Sequence, residues 1–218
     1  MKVLLISASP RYKASKTLAL AKIALKGSNL AGADIEVVSL RNYKIGFCRH
    51  CESCHRRILQ CPIKDDAMML AGKILDADGI IFACPNYINQ VPGPLKTLFD
   101  RHSHFIHCKR LLGKYTAAVV TSGSGYDMPV ARYLKYYSNL CGAQFSGAVT
   151  SRQDRITDKS DEALLLGKKI VSDIASSRNY PGQIIRIGKG LDYFKKIISL
   201  RRAYWKEEFL YYKDMGWL

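Results

Sequence analysis

Short apolar runs alternate with stretches of helical periodicity along most of this chain, and that alternation constrains its fold more than any other feature. The runs at residues 3–7, 79–84 and 115–121 are almost continuously apolar. Such runs are typical of strands that are buried on both faces. Weaker strand candidates lie at residues 35–39 and 143–149. Five buried strands separated by helices predict an α/β, doubly wound, open and mostly parallel sheet with helices on both faces.

The segments between the runs have the apolar spacing of amphipathic helices. The candidate helices cover residues 17–30, 65–75, 94–103, 130–140 and 161–177. We therefore expect one domain over residues 1–177, with an irregular cysteine-rich insertion at residues 41–64. The pair Pro181-Gly182 is expected to break the chain after this domain, before a C-terminal helical extension within residues 178–218. The many aromatic residues of the extension, from residue 191 onward, are expected to pack on the body or on a second subunit.

Composition and charge limit the classes of function that the chain can have, but they do not identify one. Lys and Arg number 34 against 18 Asp and Glu, which gives a net charge of +16. A basic surface attracts nucleic acid, phosphorylated cofactors or acidic proteins. The pair Arg201-Arg202 adds to the case for a nucleic-acid or regulatory binding protein, but the chain shows no helix-turn-helix, zinc-finger or RNP pattern, so no nucleic-acid partner is predicted.

No apolar run is long enough for a membrane span, and the apolar stretch at the start is too short for a signal peptide, which predicts a cytoplasmic protein with no membrane partner.

The loop after the first strand contains side chains of the kind that bind phosphate. Ser9, Ser15 and Thr17 supply hydroxyls, and Arg11 and Lys16 supply positive charge. The loop leads into a helix N-terminus, where free amides and the positive end of the helix dipole favour an anion. Ligands of a doubly wound sheet bind at this edge, beyond the carboxyl ends of the strands. A plain helix cap explains Ser15 or Thr17 equally well.

Two further loops leave strands at the same edge. The loop at residues 85–93 offers Tyr87 and several side-chain amides, against which a flat heterocycle can lie. The loop at residues 121–125 contains two glycines that permit close backbone approach to a ligand. Ordinary turn roles explain each loop taken alone. The three loops together predict one ligand site.

These motifs resemble the NADPH-dependent FMN reductase family. The similar features are Ser-x-Arg and Ser-x-Thr after strand one, Pro-x-Tyr after strand three, the glycine loop after strand four, and Lys96…Phe99-Asp100-Arg101 in the following helix. The resemblance covers about residues 1–175 and implies a flavodoxin-like sheet of order 2-1-3-4-5. It implies FMN as the cofactor, bound by Ser9, Arg11, Ser15, Lys16, Thr17, Pro85, Asn86, Tyr87, Ile88, Thr121, Ser122, Gly123 and Gly125. It requires no catalytic acid or base.

Four of the seven cysteines, Cys48, Cys51, Cys54 and Cys61, lie within fourteen residues. Thiols two residues apart in one short loop favour a [4Fe-4S] cluster. Zinc is the main rival metal, and free thiols without metal are the third alternative. The spacing also resembles the iron–sulfur flavoprotein branch of the same family.

That branch implies electron transfer between a donor, FMN and the cluster. The donor is NAD(P)H or a reduced carrier such as ferredoxin, which the basic surface would attract. A homodimer or homotetramer would bring cluster and flavin together across an interface. The alternative is an NAD(P)H-dependent FMN or quinone reductase without a cluster. Cys84, Cys108 and Cys141 are expected to pack as small apolar side chains. His50 and His55 are expected to be exposed loop residues, and the alternative is that they bind a metal or hydrogen-bond to the sulfurs of a cluster.

Overall fold

The computed structural model describes residues 1–11 and 13–218 of the chain. Within this range five strands form one sheet: β1 (Lys2–Ser7), β2 (Asp34–Ser39), β3 (Gly79–Pro85), β4 (Tyr115–Ser122) and β5 (Gln144–Arg152). Their order is β2-β1-β3-β4-β5, and every neighbouring pair is parallel. The doubly wound, flavodoxin-like architecture predicted from the sequence is confirmed.

Helices cover both faces of this sheet. The described helices are α1 (Lys16–Leu30), α2 (Ser53–Arg56), α3 (Ala67–Asp76), α4 (Gly93–Arg101), α5 (Ser103–His107), α6 (Met128–Leu140), α7 (Ser160–Ala175), α8 (Pro181–Leu200) and α9 (Lys206–Asp214), with 3₁₀ turns at Leu40–Asn42 and Thr157–Lys159. Apolar side chains of α1 and α7 form a core on one face, and those of α3, α4 and α6 form a core on the other. Strands β3 and β4 lie between the two cores and are buried along their whole length, which explains their uninterrupted apolar sequences.

Helices α1 and α7 approach each other closely because glycines lie at their contact. A Cβ atom at Gly167 would overlap the carbonyl oxygen of Ala24, and one at Gly27 would overlap that of Leu164. The Ser28 hydroxyl donates to the Gly167 carbonyl at 3.0 Å. The two helices therefore pack backbone to backbone, and this contact fixes α1, whose N-terminus faces the ligand edge of the sheet.

The C-terminal extension differs from the sequence expectation. Pro181 does not break the chain but occupies the first turn of α8, where a missing amide hydrogen costs no helical hydrogen bond. The aromatic tail is divided between α8 and the shorter α9. Gln183 of α8 binds the outer strand β5: its Oε1 accepts from the Phe145 amide at 2.7 Å, and its Nε2 donates to the Phe145 carbonyl at 3.0 Å.

Helix α9 and the end of α8 pack on the body of the same chain, as one of the two sequence alternatives predicted. Ile198, Trp205 and Tyr212 form a third buried cluster with Cys108. Tyr212 also donates to the carbonyl of His107 at 2.7 Å. Among the helices of the described residues, none is long and apolar enough to cross a membrane.

Candidate functional site

The loop between β1 and α1 ends in a capped helix start. Ser15 is the N-cap of α1, and its hydroxyl oxygen accepts a hydrogen bond from the Leu18 amide at 3.0 Å. The next amide, at Ala19, bonds to the Ser15 carbonyl. The amides of Lys16 and Thr17 therefore have no acceptor within the helix and are directed out of its N-terminus. Ser15 acts as a cap, as the simpler sequence interpretation expected, and free amides of the kind beside it are suited to binding an anion.

Most of the first loop and part of the second face a single cavity. It is lined by Ser9, Pro10, Arg11, Ser15, Lys16, Thr17, Pro85, Tyr87 and Gln153. Ser9, Ser15 and Thr17 are buried, whereas Arg11 and Lys16 are exposed at the rim. The hydroxyl oxygens of Thr17 and Thr121 lie 2.6 Å apart, which joins the helix start to β4. Seven of the residues predicted from sequence thus lie around one depression at the carboxyl edge of the sheet.

Gln153 also lines this cavity, although the sequence motifs do not predict it. It follows the end of β5, and its amide donates to the carbonyl of Ser122 at 2.8 Å. The rule that ligands bind at the carboxyl ends of the strands applies to β5 as well as to β1, β3 and β4. Applying it to the fifth strand would have found this residue.

The remaining predicted residues lie in two loops that meet beside this cavity. The Asn86 amide donates to the Thr121 carbonyl at 2.8 Å, and its side-chain Nδ2 donates to the Tyr126 carbonyl at 2.5 Å. Ser122 Oγ accepts from the Gly125 amide at 2.7 Å. Ile88 is 98% exposed and does not line the cavity. Gly123 is also exposed, at the tip of the loop after β4.

These residues fit FMN on two counts. Free amides and nearby hydroxyls at the α1 N-terminus suit a terminal phosphate. The Oδ1 atom of Asn86 is buried and has no hydrogen-bond partner among the described residues. A buried acceptor without a donor is costly, and an N–H group of a bound heterocycle would satisfy it.

The cysteine loop forms a second site. Cys48, Cys51, Cys54 and Cys61 all line one small cavity, together with Arg101 and Ser103. Cys48 and Cys51 are exposed, and Cys54 and Cys61 are half-buried. The four thiols that the sequence grouped by spacing are therefore brought around a common space.

Each of these sulfur atoms lies near a hydrogen-bonding group. The His50 amide donates to Cys48 Sγ at 3.4 Å, and Arg101 Nη2 donates to Cys61 Sγ at 3.2 Å. The hydroxyl of Ser53 lies 3.4 Å from Cys51 Sγ, and that of Ser103 lies 3.5 Å from Cys54 Sγ. N–H donors such as those of His50 and Arg101 stabilise thiolates and tune the potential of a bound cluster.

Arg101, at the end of α4, connects this loop to the body of the protein. Its side chain is buried and forms a two-point contact with Asp65, with Nη1–Oδ2 at 2.5 Å and Nη2–Oδ1 at 3.0 Å. Nη1 also donates to the Gly46 carbonyl at 2.9 Å. The sequence places Arg101 in a helix that resembles the family and predicts no contact between it and the cysteines.

Two of the thiols are biased toward the charged form. Hydrogen bonding with Ser53 lowers the pKa of Cys51 below its ordinary value. Burial raises the pKa of Cys54, but the hydrogen bond and positive charge of His55 more than offset this, so that the net pKa is lowered. Thiolates are the form in which cysteine binds metals.

The spacing of the thiols bears on which metal they suit. A tetrahedral zinc site with bonds of about 2.3 Å holds its four sulfurs within roughly 3.8 Å of one another. Beside the cysteine loop, the ligand atoms of His55, His107 and Glu208 all lie within 4.8 Å of one another. A cubane holds each sulfur at a separate iron and needs a wider arrangement than zinc does.

His55 differs from the expectation that it would be exposed. It is 6% exposed, and its Nδ1 lies 2.6 Å from Oε1 of the buried Glu208 in α9. Its ring stacks on that of His107, with centroids 4.2 Å apart. The local sequence indicated an open loop, but α9 closes over it. His50 is exposed as expected, and Cys84, Cys108 and Cys141 are buried, as expected for small apolar side chains.

A doubly wound sheet with this edge site defines the class: a flavodoxin-like, flavin-dependent oxidoreductase. The model of the NADPH-dependent FMN reductase family matches residues 1–154, and the chain belongs to that family. Its fold and family support FMN as the cofactor.

Individual relatives agree with this family. The chain is 27% identical over 224 residues to an iron–sulfur flavoprotein of Archaeoglobus fulgidus, and the match covers 100% of both chains. It is 37% identical over 114 residues to an iron–sulfur flavoprotein of Methanocaldococcus jannaschii, covering 52% of this chain and 54% of the relative. Among solved structures, an NADH:FMN oxidoreductase in its apo form superposes with a TM-score of 0.59 at 21% identity, covering 84% of this chain and 92% of that one. At that identity the superposition shows a shared fold.

Proposed function

We propose that this flavin-dependent oxidoreductase is an iron–sulfur flavoprotein that passes electrons between a donor, FMN and a [4Fe-4S] cluster. The observation that carries the proposal is the convergence of Cys48, Cys51, Cys54 and Cys61 on one cavity, with a hydrogen-bonding group beside each sulfur. The names of the archaeal relatives support it. When bound, FMN supplies two-electron exchange with a nicotinamide and one-electron exchange with a cluster, and the protein supplies placement and electrostatics.

The edge site holds the flavin through its phosphate and its ring. The free amides of α1, with the hydroxyls of Ser9, Ser15 and Thr17, bind the phosphate, and Arg11 and Lys16 balance its charge. Tyr87 lies against the ring system, alongside Pro85 and Asn86, whereas the exposed Ile88 does not line this cavity. Residues Thr121, Ser122, Gly123 and Gly125 present backbone groups to the ring edge. No side chain acts as a general acid or base in this assignment.

The cysteine loop holds the cluster through its four thiolates. Arg101 fixes the position of Cys61 and adds positive charge that offsets the negative charge of the thiolates. The residues 178–218 form an extension of the domain of residues 1–177, and α9 of this extension closes the loop from one side. The extension is therefore part of the cluster site.

The two sites lie at different ends of α4. The loop at residues 85–91 precedes this nine-residue helix, and Arg101 ends it, so the helix separates them by roughly 13 Å at 1.5 Å per residue. Apolar side chains are exposed at both sites: Phe47 beside Cys48 is 83% exposed, and Ile88 is 98% exposed. The oligomer proposed is a homodimer or homotetramer in which the loop of one copy approaches the flavin of another.

The electron donor is NAD(P)H or an acidic carrier such as a ferredoxin. Arg56, Arg57 and Lys64 line a cavity of about 460 Å³ that also contacts Cys61. Positive charge at this position would steer an acidic protein toward the cluster. Anaerobic mixing with NADPH or with a reduced ferredoxin, followed by the loss of flavin absorbance, distinguishes the two donors.

The first experiment is an absorption spectrum of protein purified without oxygen, with iron and acid-labile sulfide assayed on the same sample. Flavin bands, a broad shoulder near 400 nm and about four irons and four sulfides per chain are expected. Flavin bands without iron would overturn the cluster and leave an FMN or quinone reductase.

The ligand assignment is tested by Cys51→Ala with Cys141→Ala as its matched control. Cys141 is buried outside the loop. Cys51→Ala is expected to lose most of the iron while it keeps FMN, and Cys141→Ala is expected to keep both. Full iron content in Cys51→Ala would show that Cys51 is not a ligand.

A further inference from the structure

Helix α8 has one face that packs on the body of the protein and another that faces solvent. Gln183, Ile187 and Ile198 are buried on the first face. The second face is formed by residues that recur every three or four positions, at 185, 189, 193, 196 and 200, and all five are exposed. These residues form a stripe about 22 Å long, at 1.5 Å per residue.

The stripe combines apolar and basic side chains. Ile185, Tyr193 and Leu200 are 60%, 60% and 86% exposed. Lys189 and Lys196 alternate with them along the same line. The solvent-facing side of an ordinary surface helix is polar, with the apolar residues turned toward the core. Large apolar side chains aligned with lysines on the outer side distinguish α8 from such a helix.

The positive charge around this stripe is not neutralised by ion pairs. Helix α8 has four cations against one acidic residue, Asp192. The ion pairs among the described residues include none of these cations, which are Arg186, Lys189, Lys195 and Lys196. Arg186 also lines an open cavity together with Lys135 of α6. The basic surface therefore extends from α8 onto the neighbouring helix.

We propose that the outer face of α8 binds the surface of an anionic phospholipid membrane, with the helix lying along that surface. The cations bind lipid phosphates, and Ile185, Tyr193 and Leu200 enter the boundary between head groups and acyl chains. Helices that lie on anionic membranes combine these two kinds of side chain. The sequence expectation of no membrane partner depended on the absence of a spanning run, which does not test a helix on the surface. This binding needs neither the flavin nor the cluster.

Other occupants fit the stripe less well. A second copy placed face to face would bring the cations of two α8 helices together, which is unfavourable. A nucleic-acid backbone would attract the cations but would give Ile185 and Leu200 no apolar phase to enter. A bilayer surface supplies anionic groups and apolar chains along the whole length of the helix.

The test is cosedimentation of the purified protein with unilamellar vesicles of two compositions, phosphatidylcholine alone and equal parts phosphatidylcholine and phosphatidylglycerol. Binding is expected with the anionic vesicles and not with the neutral ones. It is expected to weaken when the ionic strength rises from about 0.1 M to about 1 M, because the Debye length falls from about 10 Å to about 3 Å. Arg186→Gln, Lys189→Gln and Lys196→Gln combined are expected to lower the partition coefficient roughly a hundredfold, at roughly fivefold per cation.

The matched control combines Lys22→Gln, Lys26→Gln and Lys168→Gln. These exposed lysines belong to α1 and α7, which cover the other face of the sheet from α6. The two triple variants have the same net charge, so the control is expected to bind within a few-fold of the wild type. Ile185→Gln with Leu200→Gln changes no charge and is expected to weaken binding about tenfold or more, because two apolar side chains no longer leave water.

Four results would overturn the inference. One is the absence of binding to the anionic vesicles at low ionic strength. Another is equal weakening of the two triple variants, which would make the effect one of net charge alone. Unchanged vesicle binding by the Ile185→Gln and Leu200→Gln variant, with equal affinity for duplex DNA, would make the stripe a general polyanion surface. Dissociation of a wild-type oligomer by the same two substitutions, measured by analytical ultracentrifugation, would assign the stripe to a second copy of the chain.

Discussion

Replacement of Arg101 by methionine tests whether the contact between α4 and the cysteine loop stabilises the protein. Arg101→Met keeps much of the side-chain volume but removes the charge. Removal of one partner of a buried ion pair costs about 3–5 kcal/mol, because the other charge remains without its partner. Asp65 would keep two backbone donors, the Gly46 amide at 2.8 Å and the Ala67 amide at 3.1 Å. The expected cost is therefore at the low end, about 3 kcal/mol, or roughly a hundredfold in the unfolding equilibrium.

Equilibrium unfolding in urea, followed by circular dichroism on iron-free protein with its cysteines reduced, measures this cost. Asp65→Asn is the companion variant, since it leaves the buried guanidinium without its carboxylate. The double variant is expected to lose less than the sum of the two single variants, because no unpaired charge remains buried. A loss below about 1 kcal/mol in Arg101→Met, the range of exposed ion pairs, would refute the reasoning.

The same pair predicts a pH dependence. Burial raises the pKa of Asp65, but the Arg101 guanidinium and the two backbone amides more than offset this, so that its pKa in the folded protein lies below its usual value. The resulting stabilisation is fully present above the unfolded-state pKa of about 3.9 and is lost as the pH falls toward the lower folded-state pKa. The difference in stability between wild type and Arg101→Met is therefore expected to be constant near neutrality and to shrink below about pH 4. A difference that grows on acidification would contradict this assignment.

Two further predictions concern the flavin site and the helix that supports it. Ser15→Ala combined with Thr17→Ala is expected to weaken FMN binding by more than a hundredfold, since hydrogen bonds to charged groups contribute about 1.5–3 kcal/mol each. Fluorescence titration of the flavin measures this affinity. An unchanged affinity would show that this loop does not bind FMN. Gly167→Ala is expected to destabilise the protein strongly, because its Cβ would overlap the Ala24 carbonyl. In the control Gly72→Ala in α3, the new Cβ meets no atom within 4 Å, so this variant is expected to stabilise the protein by about 0.5–1 kcal/mol. Thermal unfolding compares the two, and similar melting temperatures would contradict the close contact of α1 with α7.

The sheet was predictable because local sequence determines it. The uninterrupted apolar runs of β3 and β4 exist because both faces of these strands are buried, and this signal does not depend on distant residues. The position of Thr17 beside Thr121 follows from strand order, since β1 and β4 both end at the ligand edge. In a parallel sheet, motifs that follow different strands therefore lie close together at one edge.

The surroundings of the cysteine loop were not predictable in the same way. The burial of His55 depends on Glu208, which lies 153 residues away. No periodicity or spacing near His55 indicates that partner. Pro181 is a similar case: alone it predicts a break, but it also suits the first turn of a helix, and only the packing of α8 on β5 decides between the two.

The side chain of Gln183 has a consequence for the sheet as a whole. Strand β5 is an outer strand, and an outer strand with free amides and carbonyls can recruit a strand from another molecule. At Phe145 both backbone groups are already taken by one glutamine amide, which imitates the hydrogen bonding of a neighbouring strand. A chain shortened before residue 181 would expose a template for intermolecular β-pairing. The extension that closes over the cysteine loop therefore also covers the start of this outer strand.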